Sequence, residues 1–187
     1  MNETIKTIQE RRAVRFFDSR AVPKQTLDTI IACGNLAPSG FNTQQWRFVV
    51  VQSDACKATL LSLALPIYQQ WLEKASDEVK ERRRQVDSQT TDPIYYSAPV
   101  VVFVIGKGMT ADYDCPMVCE NMMLAARSFG IGSCWVYFGM LPAQTPEIQK
   151  LFDIRDGEKI YGPILLGYPR ESFPDSPPKK EPEVKWI

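Results

Sequence analysis

The residues best suited to chemistry stand close to the start, in "RRAVRFF". Arg11, Arg12 and Arg15 are three guanidinium groups within five residues, with Phe16 and Phe17 behind them. Guanidinium forks bind phosphate oxygens in bidentate fashion, so the cluster reads as a phosphate clamp. Cations near a helix C-terminus also complement its dipole, and that plainer reading stands beside the first. What the chain lacks narrows the chemistry further. It contains no histidine, which excludes Ser-His-Asp and Cys-His nucleophilic catalysis and His-ligated zinc hydrolysis. In an enzyme of this composition, carboxylates, tyrosines or an organic cofactor must carry the reaction.

A second candidate is the polar loop in "NLAPSGFNTQQWRFVVV", between Asn35 and Val51. Asn42, Gln44 and Gln45 supply side-chain amides, and Gly40 would let backbone approach a flat ring. Such amides match the acceptor–donor–acceptor edge of a flavin, although a connecting loop can be this polar without any ligand. A third is "SFGIGSCWVYF", where Gly130 and Gly132 flank Ile131 between a helix and a strand. Helix C-capping accounts for Gly130. The turn is not a GxGxxG fingerprint, and no GxxxxGK[ST] occurs, so dinucleotide binding by Gly-rich turns is unsupported. A fourth is "ERRR" with Lys80, open to a nucleic-acid reading. Asp77, Glu78, Glu81 and Asp87 surround it and favour a solvated helix face.

Five cysteines (Cys33, Cys56, Cys115, Cys119, Cys134) have no framework spacing and read as reduced, buried thiols. Cys115 and Cys119 would share a helix face, but a metal site wants about four ligands. The 22 basic and 22 acidic side chains cancel, leaving no general pull toward nucleic acid or membrane. The opening "MNETIKTIQERR" has no apolar core of a signal peptide, and the longest apolar run, Val100 to Ile105, is strand-sized. A cytoplasmic protein is expected.

The elements that must position these groups follow from spacing. Helices are predicted from about Glu3 to Arg12, from Pro23 to Gly34–Asn35, after the Ser53–Asp54 cap, from about Tyr68 to Gln89, from Cys115 to Phe129 and from Pro146 to Phe152. Strands are predicted over Trp46–Gln52, Val100–Ile105, Ser133–Phe138 and Ile160–Leu166. Helices and strands mingle without a repeat or a long linker, which predicts one α/β domain over residues 1–187, a central sheet with helical layers. The tail from about residue 168 is different: Pro-rich, alternating in charge, yet ending in Val184, Trp186 and Ile187. It reads as an extended arm that docks on a partner subunit rather than as a loose end.

Taken together, these motifs resemble the FMN-dependent nitroreductase family, in order and over nearly the whole chain. "RRAVRFF" resembles its Arg-Arg-Ser-x-Arg-x-Phe opening, and "APSGFNTQQWRFVVV" its Ala-Pro-Ser-x-x-Asn-x-Gln-Pro-Trp-x-Phe block. "YYSAPVVVFVI", "ENMMLAARSFGIGSCWVYF" and "LLGYPRE…PPKK" resemble its later strand, helix–turn–Trp and closing strand with basic tail. The resemblance implies an α/β (α+β) fold with a mostly antiparallel sheet flanked by helices, and a C-terminal arm exchanged between the subunits of a homodimer. It implies FMN at the dimer interface. Arg11, Arg12 and Arg15 would serve the phosphate, with Lys179 or Lys180 adding charge and Ala13 in the same segment. Pro38, Ser39, Asn42 and Gln44 would line the ring from the other chain, with Ile131, Gly132 and Ser133 on the opposite side. Three positions depart from the pattern: Ala13 replaces Ser, Gln45 replaces Pro, and Glu120 replaces Gln.

The implied activity is ping-pong oxidoreduction, NAD(P)H reducing FMN and a nitroaromatic, quinone or similar flat acceptor reoxidising it, with no protein acid or base assigned. Alternatives on the same fold are reductive dehalogenation and flavin degradation. A non-catalytic FMN-binding or redox-sensing protein is the alternative of another class. The charged segment around residues 65–95 is expected to cover the site.

Overall fold

Val100–Gly106 (β2) is buried at every position, and the alternation of its side chains sets the layers. Successive strand residues point to opposite faces of a sheet. Val100, Val102 and Val104 join Leu27 and Ile30 of helix α2 (Lys24–Asn35) and Val118, Met122 and Ala126 of helix α5 (Ala111–Ser128). Val101, Phe103 and Ile105 join Leu60, Ala64 and Tyr68 of helix α3 (Asp54–Glu73) and Ile148 of helix α6 (Pro146–Leu151). One strand thus feeds both hydrophobic cores.

The computed structural model describes residues 2–187. Strands β1 (Trp46–Val51), β2, β5 (Ile164–Gly167) and β3 (Gly132–Trp135) lie side by side in that order, and short β4 (Lys159–Ile160) pairs with the far end of β2. Every ladder is antiparallel. The sheet flanked by helices is the architecture expected from the sequence. Helix α1 (Glu3–Glu10) has no buried residue, and helix α4 (Asp77–Asp87) follows α3 after a short break. No helix among the described residues is long and apolar enough to cross a membrane.

Helix α5 begins four residues before the expected Cys115 and α1 ends two before Arg12; three further differences have a local reason. The helix expected over 68–89 is two helices, because Ser76 starts α4 by accepting a hydrogen bond from the Val79 amide. The strand expected to reach Phe138 stops at Trp135. Beyond it a 3-10 turn over Tyr137–Gln144 carries Phe138 edge-on to Tyr68, with ring centroids 5.0 Å apart. The strand expected over 160–166 is split around Gly162–Pro163, since proline has no N–H to donate to a ladder.

The "ERRR" cluster is largely accounted for inside the fold. Arg82 pairs with Glu78 at 2.7 Å and Arg84 with Glu81. Arg83 turns inward, donating to the Tyr68 and Tyr96 hydroxyls, Asp87 and the Pro93 carbonyl. Both cysteines of α5 are buried, and burial pushes their thiols up to about 12, so they pack as neutral thiols.

One ion pair locks the sheet edge to the segment after α6. Arg47 of β1 grips Glu158 with two bonds of 2.9 and 2.7 Å and donates to the carbonyls of Phe152 and Asp153. The Arg47 hydrogen bonds hold the Glu158 carboxyl down at about 2, from an ordinary 4.5. A depressed carboxylate stabilises the fold fully above its unfolded value, and that stabilisation is lost as pH falls from 4.5 toward 2. Glu158→Gln is expected to cost about 3 kcal/mol at neutral pH, the scale for breaking one side of a shielded pair. In urea titrations the gap between wild type and variant should close between pH 4.5 and 2.

Candidate functional site

The arginine cluster is delivered by two neighbouring features. Helix α1 ends at Glu10, so Arg11 takes the C-cap position. The chain then runs along the outer edge of β3: Ala13 bridges Ser133 in parallel, and the Val14 amide donates to the Ser133 carbonyl at 2.9 Å. Val14 points into the core and Arg15 outward, as strand alternation requires.

The result is a cleft of about 550 Å³ lined by Arg11, Arg12, Ala13, Arg15 and, from the tail, Pro177 and Lys179. Arg12 donates to the carbonyls of Gln9 and Arg11, and Arg11 lies 3.5 Å from Glu120 of α5. Among the described residues no carboxylate pairs with Arg12, Arg15 or Lys179, though Asp175 stands on the cleft wall. A patch of guanidinium and ammonium groups at a helix end, open to solvent, suits a phosphate. Lys180 is exposed and does not line the cleft. A second cleft of about 360 Å³ adjoins the first through Ala13, Arg15 and Pro174, and Val86 and Gln89 at the end of α4 reach it. That is the only part of the charged 65–95 segment placed at this site.

Ile131 and Ser133 are buried, so they offer this region backbone rather than side chains. Gly130 caps α5 with φ +69°, and the Ile131 amide returns to the Ala126 carbonyl at 2.9 Å, as a helix C-cap should. Gly132 has a different reason: a Cβ there would come within 2.8 Å of Val14. Only glycine lets the arginine-bearing segment lie against β3.

Pro38, Ser39, Asn42 and Gln44 are not brought to this cleft. Their loop meets the other end of the molecule, where a Cβ on Gly40 would come within 2.9 Å of Thr110, the N-cap of α5. Two rulers give the separation. Trp46 is level with Gly106 and Ser133 with Val100, so loop and turn are offset by six strand residues, roughly 20 Å, across three strand spacings of roughly 5 Å each. Along α5 the distance from Thr110 to Arg127 is roughly 25 Å at the helical rise per residue. One chain therefore cannot close both halves of the predicted site around one mononucleotide.

The loop is ordered by its own polar groups. The Ser39 hydroxyl accepts from the Gln44 amide at 3.1 Å, and Gln44 Nε2 donates to Asn42 Oδ1 at 3.0 Å. Phe41, Asn42 and Gln44 all have positive φ (54°, 55°, 48°), and the Phe41 ring is 99% exposed. Gln45, the departure before Trp46, lays its side chain across Gly108. Sequence reasoning missed the group that braces the cleft from behind, Arg127, Glu10 and Phe173; no local motif marks it.

Comparison with known proteins identifies the family and the fold. The model of the Nitroreductase family matches residues 8–168, and the chain belongs to that family. A protein of Archaeoglobus fulgidus provisionally named an NADH dehydrogenase/NAD(P)H nitroreductase is 30% identical over 91% of this chain and 88% of its own. A nitroreductase from Bacteroides fragilis, solved with bound FMN, is 31% identical and superposes with TM-score 0.73 over 99% of this chain and 96% of its own. An iodotyrosine deiodinase of Haliscomenobacter hydrossis is 24% identical over 88% of this chain and 78% of its own. The relatives of this chain thus carry names for more than one reaction.

Gly132→Ala tests the close approach. The added methyl must push Val14 away, and a loss of about 1–3 kcal/mol is expected from overpacking. Thermal denaturation beside Gly130→Ala, whose added methyl would have open space but a strained φ, separates crowding from backbone strain.

Proposed function

We propose that this chain is an FMN-dependent NAD(P)H oxidoreductase that reduces nitroaromatics, quinones or similar flat acceptors, working as a homodimer. The observation that carries the reading is the cationic cleft: Arg11, Arg12, Arg15 and Lys179 converge beside the Gly132–Ser133 edge. That donor set fits a phosphomonoester, and the ring would lie along the neighbouring main chain. Ala13, lacking the family's hydroxyl, contributes only backbone, and Lys180 adds charge from the margin. Ile131, Gly132 and Ser133 border the ring through main-chain groups. Pro38, Ser39, Asn42 and Gln44 come from the second copy, which is how a loop roughly 25 Å distant along α5 reaches the same ligand. FMN bound there supplies hydride transfer between NAD(P)H and the acceptor, chemistry that needs no histidine. The protein holds the phosphate, orients the ring and keeps water from it.

The dimer explains two further features. Strand β1 is an edge of the sheet with an unpaired backbone row, flanked by a groove of Val49, Val51, Cys56 and Phe152. The tail ends in an extended segment whose Val184, Trp186 and Ile187 stand 56, 91 and 111% exposed. Addition of the partner's tail to that edge would cover both. Deleting residues 182–187 is then expected to shift the protein from dimer toward monomer in light scattering, with loss of bound flavin.

The visible spectrum of the purified protein is the direct check, followed by steady-state NAD(P)H oxidation with a quinone, a nitroaromatic and a halotyrosine in parallel. A protein that stays colourless with added FMN sinks the proposal. Turnover of the halotyrosine alone would favour the second reading, reductive dehalogenation, which the likeness to an iodotyrosine deiodinase supports.

A further inference from the structure

Arg127, near the end of α5, makes contacts that no local role explains. Its Nη2 donates to the Glu10 carboxylate of α1 at 2.7 Å. Its guanidinium carbon lies over the Phe173 ring of the tail, 4.1 Å from the centroid. Its Nε is buried with no hydrogen-bond partner, the single such side-chain atom among the described residues. A buried, unpaired N–H costs free energy, so something at this place compensates for it.

The three residues join α5 to the two segments that wall the cationic cleft. Glu10 is the last residue of α1, directly before Arg11 and Arg12. Phe173 directly precedes Pro174, Asp175 and Ser176, which line the cleft and lead to Lys179. Helix α1 buries none of its own residues, so apolar packing does little to hold it. Among the described residues, two ion pairs tie α1 and its C-cap to α5: Glu10 to Arg127 and Arg11 to Glu120. The first also reaches the tail.

We infer that Arg127 is a positioning residue: through Glu10 and Phe173 it sets the spacing between the arginines of the α1 end and Lys179, and so governs recognition of the ligand's phosphate. The inference rests on the flavin reading above and adds a determinant that does not touch the ligand. Arg127→Met keeps the length and the apolar contact with Phe173 but loses the bond to Glu10 and the cation over the ring. Arg127→Lys keeps the charge toward Glu10, and Phe173→Leu keeps the burial without the aromatic face.

The test titrates the full-length, flavin-stripped protein with FMN and with riboflavin, which lacks the phosphate, following flavin fluorescence. Wild type should prefer FMN. Arg127→Met should weaken FMN by about tenfold, the worth of roughly one charge-assisted hydrogen bond, and leave riboflavin unchanged. Arg127→Lys should recover part of the preference, and Phe173→Leu should lose part of it. A general loosening of the fold would weaken both flavins alike; that result, or an unchanged FMN-to-riboflavin ratio in Arg127→Met, overturns the inference while the flavin reading stands. A wild-type protein that binds neither flavin overturns both.

Discussion

The site depends on one stretch of backbone pairing. The chain from Ala13 to Asp18 is zipped between β3 and the residues after β5: Val14 donates to Ser133, Arg170 to Phe16 and Asp18 to Tyr168, each at 2.9 Å. Without that pairing the three arginines would be an ordinary basic helix end. With it, Val14 is drawn inward and Arg15 is turned outward, because a paired extended chain alternates its faces. The bare Cα of Gly132 makes the approach possible, and the buried strand β2 keeps β5 and β3 where the pairing needs them.

The fold was legible where one residue type decides one conformation. The apolar run Val100–Ile105 could only be an interior strand, and Gly130 closes α5 as a C-capping glycine does. Strand ends were less legible, since Phe138 suits a strand but packs against Tyr68 and Trp71 of α3. The arginines and Lys179 could be picked out by charge, and the cleft gathers them. Lys180, one residue on, stays outside it. The brace behind the cleft could not be read: Arg127 and Glu10 are 117 residues apart, and each looks alone like a routine helix-end charge.

Electrostatics at the cleft is a balance rather than an accumulation of positive charge. Glu120 stands where the family commonly has Gln and lies against Arg11, while Glu10 faces Arg127. Each carboxylate pairs with a cation without itself lining the cleft. Placed so, it orients a flexible guanidinium at the cost of some attraction for an anion. Preorganisation of that kind favours a ligand of fixed shape over a diffuse anion.

The opposite end of the molecule poses the complementary problem. Non-glycine residues at positive φ cost roughly 1–3 kcal/mol each unless the surroundings hold them, and the loop from Ser39 to Gln44 contains three. Its internal bonds use the Ser39 hydroxyl, Gln44 Nε2 and Asn42 Oδ1. That leaves Asn42 Nδ2 and Gln44 Oε1, one donor and one acceptor, beside an exposed phenyl ring. A donor next to an acceptor is the complement of an imide edge, and a bare aromatic face is the complement of another apolar surface. Neither need is met within the chain that bears the loop. In the homodimer proposed above the strain would be intelligible, because one contact with the second copy would cover the ring, pair the amides and set the loop against the far end of its neighbour's sheet.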